Sequence, residues 1–189
     1  MAKDRQLIDD PERIRAVTHP LRLRLLDLLA EHHELTATEC AELTGESVAS
    51  CSFHLRQLEK YGFIERAAPR GREKPWKPVG EGGYATTIDP DLPGSVQATT
   101  ELARLTFQHR AQALFEAVER LPAEPSEWMD ATRLMNATFW ATAEETVELA
   151  EQIMALVERF ERRDNESDRP EGARRVRLMS TIHSDPPAT

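Results

Sequence analysis

Ser47-Val48-Ala49-Ser50-Cys51-Ser52-Phe53-His54-Leu55-Arg56-Gln57-Leu58-Glu59-Lys60 is the stretch on which the fold turns. Its apolar residues Val48, Cys51, Leu55 and Leu58 recur at intervals of three, four and three, the rhythm of one helical face. At 100° per residue the four share about 80° of arc, which predicts a buried stripe. The opposite side presents Ala49, Ser50, Phe53, Arg56, Gln57 and Lys60. A solvated helix face usually carries long charged side chains; this one sets small hydroxyl and amide groups beside an aromatic ring and flanking cations. Ser47 has the chemistry of an N-cap for this helix.

The sequence on both sides fits around that helix. Upstream, Thr36 and Glu39 have capping-box spacing for a helix running to about Leu43, and Gly45 supplies the left-handed residue that stops it. Earlier still, Asp10-Pro11-Glu12 starts a short helix with Ile14 and Val17 on its apolar face. Pro20 starts another, with Leu21, Leu25, Leu28 and Leu29 on one face and Arg22, Arg24 and Asp27 largely off it. Downstream of Gly62, Phe63-Ile64-Glu65-Arg66-Ala67 reads as a strand, Pro69-Arg70-Gly71-Arg72-Glu73-Lys74 as a turn, and Pro75-Trp76-Lys77-Pro78-Val79 as a returning edge strand. Two short helices followed by a hairpin with a basic tip describe a winged helix-turn-helix.

The chain has 189 residues, 40% hydrophobic and 30% charged, which predicts one large or two small soluble domains with a real core. No apolar run approaches the roughly 18 residues of a membrane span, and Met1 to Gln6 lack the apolar segment of a secretory signal. Two cysteines, Cys40 and Cys51, supply no disulfide framework, so a cytoplasmic location is expected. The formal charge is −9, and all of it falls after residue 80. Residues 54–77 carry a local excess of four positive charges, and a Debye length of about 8 Å keeps the distant acidic half from cancelling it.

Three segments together resemble the arsenic-repressor type (ArsR/SmtB-like) of winged-helix transcription regulator, in a branch often found in actinobacteria. They are His19-Pro20-Leu21-Arg22-Leu23-Arg24-Leu25-Leu26, then Ser50 to Leu58 followed by Tyr61-Gly62-Phe63-Ile64, and the wing Arg70-Gly71-Arg72-Glu73-Lys74-Pro75-Trp76. The resemblance covers residues 10–80 well and the remainder loosely. It implies a homodimer that sets two recognition helices into successive major grooves of a palindromic operator, usually repressing transcription. The family's metal sensors carry a Cys-x-Cys pair before the recognition helix. Here Thr38-Glu39-Cys40-Ala41-Glu42 offers one thiol, and the adjacent His32 and His33 point about 100° apart on a helix, so neither a metal nor a cofactor is expected.

The candidate DNA-binding residues divide by chemistry. Arg56, Lys60, the Ser47 hydroxyl, Arg70, Arg72 and Lys74 suit phosphate, with Arg72 also suited to a narrow minor groove. Ser50 and Ser52 suit base edges, Ala49 and Phe53 a thymine methyl, and Gln57 adenine. Ser52, nearer the flank, fits phosphate as well, Phe53 also fits a place under a neighbouring loop, and His54 fits either packing or a phosphate contact. Cys51 and His54 lie one turn apart, yet nothing in the sequence supplies an orienting group or an oxyanion site, so catalysis is not expected.

Beyond Pro90, Pro93 and Gly94 the chain reads as helical. A long helix is expected from Ser95 to Leu121, another from about Ser126 to Trp140, and a third, opened by the capping box Thr142-Ala143-Glu144-Glu145, to about Arg163. Residues 164–172 read as a loop, 175–182 as a strand with residues 84–88 as its partner, and Pro186-Pro187 as a frayed end. Phe107, Trp128, Met135, Phe139 and Trp140 form either plain core or a pocket for a small apolar effector.

The expected fold is therefore mainly α with a small β-wing: residues 1–92 a winged helix-turn-helix DNA-binding domain, residues 93–189 a helical dimerisation and effector domain. The expected function is that of a sequence-specific regulator of double-stranded DNA, a homodimeric repressor. The alternative is a winged-helix protein-interaction or structural module without DNA contact.

Overall fold

Helix starts in this chain are set by local chemistry. In the computed structural model, which describes residues 6–80, 84–86, 88–160, 163 and 168–185, helix α1 (Pro11–Val17) begins where the Asp10 carboxylate accepts from the Glu12 N–H at 3.0 Å. Helix α2 (Pro20–His32) is capped by the His19 ring, and α3 (Ala37–Thr44) by the expected capping box: Thr36 Oγ1 accepts from Glu39 N–H, and Glu39 accepts from Thr36 N–H at 2.7 Å. The backbone bond from Thr36, more than any other contact, holds the Glu39 carboxyl below its ordinary pKa. Replacing Thr36 with alanine is expected to cost about 1 kcal/mol and to lower the thermal midpoint by several degrees. Gly45 then takes φ +76 and ends α3, a conformation in which a side chain would be strained.

Helix α4 (Val48–Lys60) follows after three residues, with Ser47 Oγ accepting from Ser50 N–H at 3.1 Å. Cys51, Leu55 and Leu58 are fully buried, against α2 and α3. Val48, expected in the same stripe, is exposed instead. Side chains on a helix lean toward its N-terminus, so a residue in the first turn overhangs the end of the neighbouring packing rather than filling it.

Strands β2 (Ile64–Arg66) and β3 (Trp76–Pro78) pair antiparallel with Arg66 opposite Trp76. Their loop closes on a two-residue turn in which Arg70 and Glu73 exchange backbone hydrogen bonds and Gly71 adopts φ +64, as tight hairpins require. Trp76 is buried and bridges to Leu35, tying the hairpin to the start of α3. A second pair, β1 (Gln6–Ile8) with β4 (Tyr84–Thr86), is parallel.

The described chain forms two compact units, Met1–Arg120 and Leu121–Thr189. The division expected from the sequence lay after residue 92; here helix α5 (Ser95–Arg120) belongs with the first unit. Its Ala98 and Leu102 are buried in the core with α1 and α2, and the carboxylate of Asp27 on α2 receives two bonds from Arg110 and one from His109, all within 2.9 Å.

The second unit has a short 3-10 helix, Leu121–Ala123, then α6 (Ser126–Ala131) and α7 (Ala143–Glu158), which opens on the expected capping box at Thr142 and Glu145. The helix expected from Ser126 to Trp140 stops nine residues early. Thr132 turns extended, its hydroxyl bonds back to the Trp128 carbonyl, and beyond it Leu134 and Met135 are exposed. A short helix with no surface to cover its apolar face has little to stabilise it.

The strand expected at 175–182 is likewise absent from the described residues. Val176, Leu178 and Ile182 are exposed, and of the partner expected for them, residues 84–88, Tyr84–Thr86 pair with β1 instead. A lone strand has no ladder to hold it. Of the expected loop at 164–172, residues 164–167 lie outside the described residues, as do Pro186 and Pro187.

Candidate nucleic-acid interface

The outward side of α4 is open: Ala49, Phe53, Arg56 and Lys60 are exposed, and Ser50, Ser52, His54 and Gln57 half-buried. Phe53, with 53% of its surface free, does not lie under a loop. It meets the His54 ring edge-on at 5.1 Å. Ser47 uses one oxygen lone pair on the cap, and its hydroxyl hydrogen is left to donate to a phosphate.

The hairpin stands beside this face and is locked to it. Glu59 of α4 accepts from Arg66 Nε at 3.2 Å and from Trp76 Nε1 at 3.3 Å, and the Arg66 guanidinium lies 3.5 Å above the Trp76 ring. At the tip the cations are not equivalent. Arg70 pairs with Glu39 at 2.8 Å and with Glu34 at 3.6 Å, so a phosphate would have to displace two carboxylates to reach it. Arg56, Arg72 and Lys74 form no ion pair among the described residues, which makes them the more available phosphate partners. Sequence spacing does not reveal the pairing of Arg70, because Glu39 lies 31 residues away.

Sequence reading also missed what lies behind His54. Its ring stacks on His19 with 4.3 Å between centroids, and the His19 Nδ1 accepts the Leu21 N–H at 3.2 Å. Burial holds His54 below the usual histidine pKa, with His19 and Arg22 acting in the same direction and Glu46 opposing. Burial likewise lowers His19, reinforced by Arg22 and opposed by Glu46. The only available signal was the His-Pro pair at a helix start, where a ring nitrogen can serve as a cap.

Cys51 is fully buried with Thr44 Oγ1 at 3.6 Å from its sulfur, and the Cys40 thiol is pushed up to about 12 by burial, then by Cys51 and Glu39. Such a thiol is not a ready metal ligand or nucleophile at neutral pH. Phe107 is exposed on α5; in the second unit Met135, Phe139 and Trp140 are exposed, and Trp128 lies under the Arg174 guanidinium at 4.7 Å.

Helix, turn, outward-facing second helix and hairpin together define a winged helix-turn-helix. Residues 17–67 match a family model described as a helix-turn-helix domain, so the chain carries a domain of that class. Among solved structures the chain is similar to a possible transcriptional regulator for arsenical resistance, at 24% identity and a TM-score of 0.33, over 62% of this chain and 97% of that one. It is also similar to a mutant of Lactococcus lactis ZitR in apo form, at 16% identity and a TM-score of 0.35, over 76% and 83% of the two chains. No curated protein matches. Among the described residues no helix is long and apolar enough to cross a membrane.

Proposed function

We propose that this chain is an ArsR-like transcription regulator that binds double-stranded DNA through α4 and the β2–β3 hairpin, as a homodimer on a palindromic operator, and acts as a repressor in the cytoplasm. One observation carries the reading. The α4 face made of Ala49, Ser50, Phe53, Arg56, Gln57 and Lys60 is open to solvent beside a hairpin tip whose Arg72 and Lys74 lack acidic partners among the described residues. Short hydroxyl and amide groups fit base edges, and unpaired cations fit phosphates. Residues 1–92 take the DNA-binding role and 93–189 the dimerisation role. The exposed Phe107, Phe115 and Val118 on α5 support the second assignment, since a long helix with an uncovered apolar side is suited to pairing with its counterpart.

The test is binding to duplexes selected by the protein from genomic DNA. Affinity is expected to fall steeply with salt, and Arg72→Ala, which removes one contact from each protomer of the dimer, to reduce the slope of log affinity against log salt by about 2 without changing sequence preference. Ser50→Ala is expected to relax preference at one base position. Absence of duplex binding at low salt would favour a protein-interaction module instead.

A further inference from the structure

The seam between α2 and α4 holds a group of titratable side chains, of which only His54 is also a candidate DNA contact. His19 accepts the Leu21 N–H through Nδ1, so that nitrogen carries a lone pair and the neutral ring keeps its proton on Nε2. The His54 ring, from α4, lies across it at an interplanar angle of 34°. Nδ1 of His54 and Nε of Arg22 are both sealed from solvent, and neither has a hydrogen-bond partner among the described residues. The charged and titratable groups facing the pair are Arg22 from α2 and Glu46 from the α3–α4 turn, while Tyr61, at the end of α4, acts on Arg22. A guanidinium beside two stacked imidazoles, with one carboxylate in opposition, favours neutral rings.

We propose that His19 and His54 are a positioning pair that seats the recognition helix on α2 while both rings are neutral and releases it when they are protonated, so that DNA binding weakens on acidification. A proton on His19 Nδ1 turns the cap acceptor into a donor aimed at the Leu21 N–H, and α2 loses its cap. A positive charge on His54 also meets Arg22 and a protonated His19 across the seam and pushes α4 outward. The sign follows from linkage. Both histidines lie below their ordinary value in the folded protein, which therefore binds fewer protons than the unfolded chain. The seam is at full strength above the ordinary histidine value of about 6.5 and is lost as pH falls through the depressed folded values. This opposes the general trend, because added positive charge on a DNA-binding surface strengthens its attraction to phosphate.

The inference rests on the DNA-binding reading for its output, but not for the seam itself, so the test has two readouts on the full chain. The first is affinity for a selected duplex at constant ionic strength; the second is amide exchange at Leu21 and Leu55, corrected for intrinsic rates. Between about pH 7.5 and about pH 5 wild type is expected to lose affinity tenfold or more, and protection at both amides with it. His19→Asn/His54→Gln, in which asparagine still caps but does not titrate, is expected to change less than about threefold and to keep its protection. Equal pH profiles for wild type and variant, or tighter wild-type binding in acid, overturn the proposal. If the double variant does not fold, His19→Asn alone decides: the Leu21 amide stays protected in acid if the pair acts as described and loses protection as in wild type if it does not. If no duplex is bound at any pH, the DNA-binding reading fails, and the exchange arm still upholds or overturns the pair.

Discussion

Leu55→Ala is expected to lower the unfolding free energy by about 2 to 5 kcal/mol, read as a drop in denaturant midpoint with little change in slope. Leu55 is fully buried at the middle of α4, in a core shared with the buried leucines of α2 and with Cys40 and Ala41 of α3. Truncation removes its transfer free energy and leaves a cavity that two neighbouring helices cannot readily collapse. Against a total of about 5 to 15 kcal/mol for a domain, that loss is large enough to leave part of the population unfolded at physiological temperature. Leu134→Ala offers the contrast: Leu134 is 88% exposed, and its truncation is expected to stay within about 0.5 kcal/mol. Equal effects at the two positions would mean that α4 is rotated from the orientation described.

The second large effect is expected at Asp27. Asp27→Ala removes the acceptor for both Arg110 and His109, at side-chain exposures of 20%, 35% and 26% respectively. These groups are screened only in part, so the loss should be about 2 kcal/mol, between that of an exposed pair and that of a buried one. Together with Ala98 and Leu102, Asp27 fastens α5 as far as Arg110 to the helix-turn-helix. A cycle of Asp27→Ala, Arg110→Ala and the double variant, followed by urea unfolding, is expected to give a coupling of about 1 to 2 kcal/mol. Strict additivity would show that the pair contributes nothing and that apolar packing alone holds α5.

The features legible in the sequence are those decided within a few residues. Asp10, Thr36, Ser47 and Thr142 cap as read, because a cap depends on an amide two or three positions away. The period of Cys51, Leu55 and Leu58 fixed which side of α4 turns inward, and so which residues face out. Features decided at a distance were not legible. Val48 has the right spacing but no neighbour at the helix end. Residues 132–140 have apolar content but no surface within their unit that buries it, and 175–182 alternate without a partner strand. The tie from Asp27 to Arg110 spans 83 residues, and Arg70 is claimed by glutamates from another helix and its approach. His19 stood within a quoted motif, yet its role as ring cap and stacking partner depends on α4 crossing α2.

Under the proposed DNA-binding role, the lock formed by Glu59, Arg66 and Trp76 has a consequence for the geometry of the operator. Because one carboxylate on α4 grips both strands of the hairpin, tilting the helix in a groove swings the hairpin tip through the same angle. The stretch touched by the hairpin must then lie at a constant phase, in base steps, from the stretch read by the helix. Inserting a single base pair between them would spoil both contacts together, and flanking sequence would behave as part of the site even where no base is read.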